Sequence, residues 1–123
     1  MKKEFNVPIP KGYFMSWFVT TQSSAEITVT LKDDSKTYFA ASKQSIDIDP
    51  PLAISYSTIY GNNLKLIVDI PKSSQILGSP HSNDITTDNG TVVGKEFNLC
   101  LEDFTDKDYN DVAISIIAWK SKG

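Results

Sequence analysis

The stretch Leu64-Lys65-Leu66-Ile67-Val68-Asp69-Ile70 decides the fold class. Leu64, Leu66, Val68 and Ile70 alternate with other residues, so one face of an extended strand is wholly apolar. A helix would scatter those four side chains around its circumference. Gly61-Asn62-Asn63 before it is a turn signal, and Pro71 stops it.

The same grammar runs outward in both directions. Ile27, Val29 and Leu31 alternate with Thr28 and Thr30, a half-buried strand. YFMSWFV (13–19) reads as a buried strand, and TYFAA (37–41) follows the turn KDDSK (32–36). Phe5, Val7 and Ile9 alternate as well. Pro8 and Pro10 cannot donate to a ladder, which places this segment at an edge or an irregular entry. Ile46 and Ile48 alternate with Asp47 and Asp49 before Pro50-Pro51 breaks the run, and Leu52, Ile54 and Tyr56 alternate again. Residues 71–90 are polar and read as the longest loop, with at most a short strand inside and a tight turn at Asn89-Gly90. Phe97, Leu99 and Leu101 form a further strand, and VAISIIAW (112–119) is the last. No segment has a helical period. About eight to nine short strands at regular spacing predict an all-β, antiparallel β-sandwich.

The chain has 123 residues, the length of a single domain (1–123) with a core that needs no disulfide. Cys100 is the only cysteine, so an intrachain disulfide and a cysteine-rich metal site are both excluded. The two lysines at the N-terminus precede no apolar run, and no stretch is long enough to span a membrane. The expectation is a cytoplasmic protein without membrane insertion, with export lacking a signal peptide or release to the cell surface left open.

Charge is concentrated. EDFTDKDYND (102–111) holds five of the 15 acids (Glu102, Asp103, Asp106, Asp108, Asp111) and one of the 12 basic residues, Lys107. The other segments then have 10 acids and 11 bases, so the net charge of −3 comes from this loop. No basic stripe tracks a phosphate backbone, which argues against nucleic acid as a partner.

Asp106, Asp108 and Asn110 stand at alternate positions with Asp111 next, and oxygen ligands so spaced on a curved loop can converge on one point. Hard oxygen donors suit Ca²⁺, which takes about 6 to 8 of them. The lone His81 and Cys100 lie outside the loop, which disfavours zinc or copper. Mg²⁺ is second choice because its octahedron is stricter. The acids lie between strands and beside Phe104 and Tyr109, a structured loop rather than a solvated tail. The loop is no EF-hand, lacking the glycine, the distal Glu and the flanking helices.

The run Glu102-Asp103, Thr105-Asp106, Asp108-Tyr109-Asn110-Asp111, followed by a β-branched strand with Trp119 and a terminal Gly123, resembles the bacterial calcium-dependent fucose/mannose-binding lectins. Phe5, Pro8, Tyr13, Phe18, Ile27, Val29 and Leu31 fall at that family's spacing. Residues 32–95 are similar only in strand rhythm. The resemblance implies a small antiparallel β-sandwich that dimerises and binds sugars through two adjacent Ca²⁺ ions. On it, Glu102, Asp106, Asp108 and Asp111 hold one ion. Asp108, Asn110, Asp111 and the Thr20 backbone carbonyl hold the other, joined by the Gly123 carboxylate of a partner chain. Asp103 accepts a hydrogen bond from a sugar hydroxyl, and Thr21, Gln22 and Ser23 flank the sugar. The chain departs from the pattern in three places. Asp111 to Gly123 is two residues longer, Gln22 replaces a small residue, and Phe104 stands inside the acidic loop.

The resulting expectation is a non-enzymatic, calcium-dependent lectin for mono- or oligosaccharides, acting as a homodimer or dimer-based oligomer. The rival is a β-sandwich whose calcium only staples strands. A glycosidase needs two opposed carboxylates, whereas these are clustered. A Ser-His-Asp triad would rest on His81, a polar-loop residue. Trp17 and Trp119 read as core or interface packing.

Overall fold

A computed structural model describes residues 1–103 and 110–122. Nine strands follow one another: β1 Lys2–Asn6, β2 Phe14–Thr21, β3 Ser23–Lys32, β4 Thr37–Ser45, β5 Ala53–Thr58, β6 Lys65–Asp69, β7 Leu77–Thr86, β8 Val92–Glu102 and β9 Val112–Trp119. They form a four-stranded sheet, β1-β6-β3-β4, and a five-stranded sheet, β5-β2-β9-β8-β7, and all pairings are antiparallel. The all-β sandwich expected from the alternation is what the chain adopts. No helix long and apolar enough to cross a membrane occurs among the described residues.

Residues 64–70 take the predicted role. Leu66, Val68 and Ile70 are fully buried and Leu64 nearly so. Beside them in the same sheet are Ile27, Val29 and Leu31 of β3. The opposing layer supplies Met15, Trp17 and Val19 of β2, Phe97, Leu99 and Leu101 of β8, and Val112, Ile114, Ile116 and Ala118 of β9. Two half-apolar sheets are each unstable in water alone, and stacking them buries both inner faces. Val7 and Ile9, beyond the end of edge strand β1, are also buried.

Four segments depart from the sequence reading. Residues 13–19 are not buried on both faces: Phe18 is 45% exposed while Met15 and Val19 are fully buried. Ile46 and Ile48 lie beyond β4 in a non-strand segment, 70% and 52% exposed, because Pro50 and Pro51 leave no room for a paired strand after them. Ile54 and Tyr56 of β5 point outward instead of into the core. The middle half of the region expected to be loop is β7, a ten-residue strand. It is an edge strand with both faces largely exposed, so it needs no apolar alternation, and Pro80 is tolerated there. His81 is therefore a strand residue, exposed, with its Nε2 3.1 Å from the Ser79 hydroxyl. The Asn89-Gly90 turn is present between β7 and β8, with Gly90 at φ 88°.

Candidate functional site

β8 and β9 are neighbours, and Leu101 pairs with Val112, so the acidic segment leaves and re-enters the five-stranded sheet at one end. β2 ends at the same place, because Thr21 also pairs with Val112. The chain then crosses from one sheet to the other: β2 closes at Thr21 and β3 opens at Ser23 in the four-stranded sheet. Gln22 is the corner. Its backbone N–H donates to the Asp111 carbonyl at 3.0 Å, which locks the corner onto the acidic segment. Segments far apart in the sequence thus share one end of the sandwich.

Glu102, Asp103 and Asp111 are 0%, 7% and 7% exposed, and one carboxylate oxygen from each lies within 4.8 Å of the others. The Asp103 N–H donates to Asp111 Oδ2 at 2.9 Å and closes the segment across its base. The Ser73 hydroxyl lies 2.8 Å from the Asp103 carbonyl and 2.6 Å from that of Gln75, buttressing the segment from the β6–β7 connection.

Such a cluster is electrostatically expensive, because each buried carboxylate loses hydration and each repels the others. Burial pushes the Asp111 carboxyl up from its ordinary range, and its hydrogen bond with Asp103 adds to the rise. The side chain of Glu102 and the Asp103 N–H only partly offset it. No salt bridge among the described residues relieves Asp103 or Asp111: the pairs present, Lys65 with Glu4 and Lys95 with Asp84, lie elsewhere. Thr21 Oγ1, fully buried, has no hydrogen-bond partner among the described residues. Clustered, dehydrated hard oxygens of this kind fit a hard cation such as Ca²⁺.

Beside the carboxylates lies an open cleft of about 300 Å³, lined by Gln22, Ser23, Ser24, Ala25, Ile46, Asp103 and Asp111. Of the residues singled out from sequence, Glu102, Asp103, Asp111, Thr20, Thr21, Gln22 and Ser23 converge on this end of the molecule. Asp103, assigned to sugar rather than metal, sits in the same carboxylate cluster as Glu102 and Asp111. Thr20, Thr21 and Ser23 are buried, so Gln22 is the most accessible residue of that corner. Asn110 is exposed. Asp106, Asp108 and Gly123 lie outside the described residues. Sequence reasoning missed Ser73, Ile46 and Lys43, whose ammonium bonds the Thr21 carbonyl at 3.4 Å. Their roles depend on which loops meet, and no local spacing encodes that.

No protein-family model matches the sequence, and no curated protein does. Solved structures do match in fold. The C-terminal domain of a lectin from Burkholderia cenocepacia superposes with a TM-score of 0.70 at 17% identity, covering 97% of each chain. A Chromobacterium violaceum lectin in complex with alpha-methyl-fucoside gives 0.64 at 18% identity over 93% of each chain. A high-affinity mannose-binding lectin of Ralstonia solanacearum gives 0.64 at 17% identity, again over 93% of each. At these identities the likeness shows a common fold across nearly the whole chain.

Proposed function

We propose that the protein is a calcium-dependent carbohydrate-binding lectin. The observation that carries this reading is the buried, converging carboxylate set Glu102, Asp103 and Asp111 next to an open cleft. The fold likeness to proteins described as lectins, one of them mannose-binding and one bound to a fucoside, supports it. Glu102, Asp106, Asp108 and Asp111 would hold one Ca²⁺. Asp108, Asn110, Asp111 and the Thr20 carbonyl would hold a second, with the Gly123 carboxylate reaching over from another copy in a homodimer.

The chemistry suits a neutral ligand. A monosaccharide offers little charge to grip, and bound Ca²⁺ would supply coordination positions that vicinal hydroxyls can take from water. The chain's own part is to read the stereochemistry of those hydroxyls. Asp103 accepts a hydrogen bond from one of them, and an ionised acceptor makes that bond stronger than a neutral one. Gln22, with Thr21 and Ser23 fixing its backbone, forms the opposite wall. No bond is made or broken, so the site binds and does not catalyse.

Calorimetric titration with methyl fucoside and methyl mannoside, in Ca²⁺ and again in chelator, tests the reading. Sugar heat in Ca²⁺ that vanishes with chelator is expected, as is a loss of Ca²⁺ affinity of at least about tenfold in Asp111→Asn, a charged ligand removed from a buried site. Calcium heat without any sugar heat would leave the ion a structural staple and end the lectin reading.

A further inference from the structure

We propose that Lys43 is a positioning residue for the cleft. Through it, the 46–51 loop presents Ile46 as an apolar lip on which the C–H face of a bound sugar rests. The inference rests on the carbohydrate reading above.

Lys43 stands near the end of edge strand β4. Its ammonium meets four backbone carbonyls: Asp47 at 2.6 Å, Pro50 at 2.8 Å, Ile48 at 3.3 Å and Thr21 at 3.4 Å. No salt bridge to Lys43 occurs among the described residues, so these carbonyls are its counter-dipoles. An ammonium has three protons. The two short bonds satisfy two of them, and the third is shared between Ile48 and Thr21. Three of the four oxygens belong to one loop, and their dipoles point at a common centre. Without the cation they repel, and no other described side chain bonds those three carbonyls. The fourth oxygen belongs to the sheet-crossing corner, next to Thr20. Lys43 is therefore a strut between the loop and the carboxylate end of the sandwich.

The strut has a visible consequence. Ile46 is 70% exposed yet lines the cleft that Asp103 and Asp111 also line. The other lining residues are polar or small: Gln22, Ser23, Ser24 and Ala25. A sugar ring is amphipathic, with hydroxyls around its edge and C–H bonds over its faces. Carboxylates and Gln22 can read the hydroxyls. Ile46 alone among the lining residues offers a large apolar surface to a C–H face.

The test compares the wild-type chain with Lys43→Met, Lys43→Arg, Ile46→Ser and the double variant Lys43→Met/Ile46→Ser. Calorimetry follows methyl fucoside and methyl mannoside in saturating Ca²⁺. A separate Ca²⁺ titration without sugar and amide hydrogen exchange complete the set. Lys43→Met and Ile46→Ser should each weaken the tighter sugar roughly fivefold, as expected when one aliphatic side chain no longer covers the ring face. The double variant should be no weaker than either single one, because both remove the same lip. Lys43→Arg keeps charge and donors and should retain the affinity. Amide exchange at Asp47, Ile48, Asp49 and Leu52, the residues of and after the loop that have an N–H, should accelerate in Lys43→Met and not in Ile46→Ser, while Ca²⁺ affinity stays within about twofold in both, since neither change removes a metal ligand. Losses that multiply in the double variant, or that track a fall in Ca²⁺ affinity, would overturn the proposal, as would unchanged exchange in Lys43→Met. If the wild-type chain gives no sugar heat, the carbohydrate reading fails and the lip with it. The exchange data would still show whether Lys43 holds the loop.

Discussion

Asp33 and Asp111 are both buried acids, with 3% and 7% of their surface exposed, and the fold treats them in opposite ways. Burial alone would raise the Asp33 carboxyl, but hydrogen bonds from the Tyr38 hydroxyl and from the N–H groups of Lys36 and Ser35 outweigh it and bring it down to about 2 from 3.8. The Gly61 N–H also donates to it, at 2.9 Å, so one carboxylate ties the β3–β4 turn to the β5–β6 connection. A depressed carboxylate stabilises the fold above 3.8, and that contribution is lost as pH falls through about 2. Asp33→Asn should therefore unfold at lower urea concentration at neutral pH, and its deficit against the wild type should shrink between pH 3.8 and 2. Asp33→Ala, which orphans several buried donors, should cost about 2 to 4 kcal/mol in the same measurement. Asp111 has the reverse sign: its raised carboxyl contributes stability at low pH that is lost as pH rises, unless a cation is present to favour the charged form. At this scale charge density, a local property, pointed to Glu102, Asp103 and Asp111, which the fold brings together, whereas the alternate spacing of Asp106 and Asp108 lies outside the described residues. The sequence was silent about Asp33, which looks like one half of an ordinary turn, and about Lys43, whose partners are distant carbonyls.

Strands were legible where one face packs and the other is wet. β3, β6, β8 and β9 show the alternation in both sequence and burial. The misread segments are those where packing does not impose it. β7 is an edge strand with little apolar content, and the 46–49 alternation serves the cleft and its strut instead of a sheet. β8 also contains a constraint that alternation cannot show. A Cβ on Gly94 would lie 2.5 Å from the Ala118 carbonyl oxygen and 2.9 Å from the Trp119 ring. The carbonyl belongs to the paired strand β9 and cannot retreat without breaking the ladder. Gly94→Ala should lower stability by about 1 to 3 kcal/mol, read as a drop in the urea midpoint, with sugar and metal affinity of the folded fraction unchanged because Gly94 lies at the far end of β8 from Glu102.

The whole molecule has two surface regions of different character. Away from the carboxylate cleft, the outer five-stranded face carries Phe18, Ile54, Tyr56, Ile117 and Trp119, between 36% and 67% exposed. The register makes these a continuous patch: Phe18 pairs with Ile54, and Ser16 lies between Tyr56 and Ile117. A patch of this kind marks an interaction surface, which accords with the proposed homodimer. Sedimentation velocity of Tyr56→Glu/Ile117→Glu should then give a monomer with unchanged far-ultraviolet circular dichroism, and a wild-type chain that sediments as a monomer would remove the dimer. The two-sheet architecture followed from periodicity, yet the outward turn of Ile54 and Tyr56 did not, since an apolar alternation reads the same whether that face points inward or outward. At the other end of the molecule, the corner at Gln22 has a consequence for how such a protein can diversify. Its anchor to Asp111 is made by backbone atoms, so any residue but proline preserves it. The side chain at that position is released from structural duty while its Cα stays fixed beside the cleft. If the cleft binds sugars as proposed, new ligand preferences can therefore be sampled there one substitution at a time, without first acquiring a compensating change elsewhere in the sandwich.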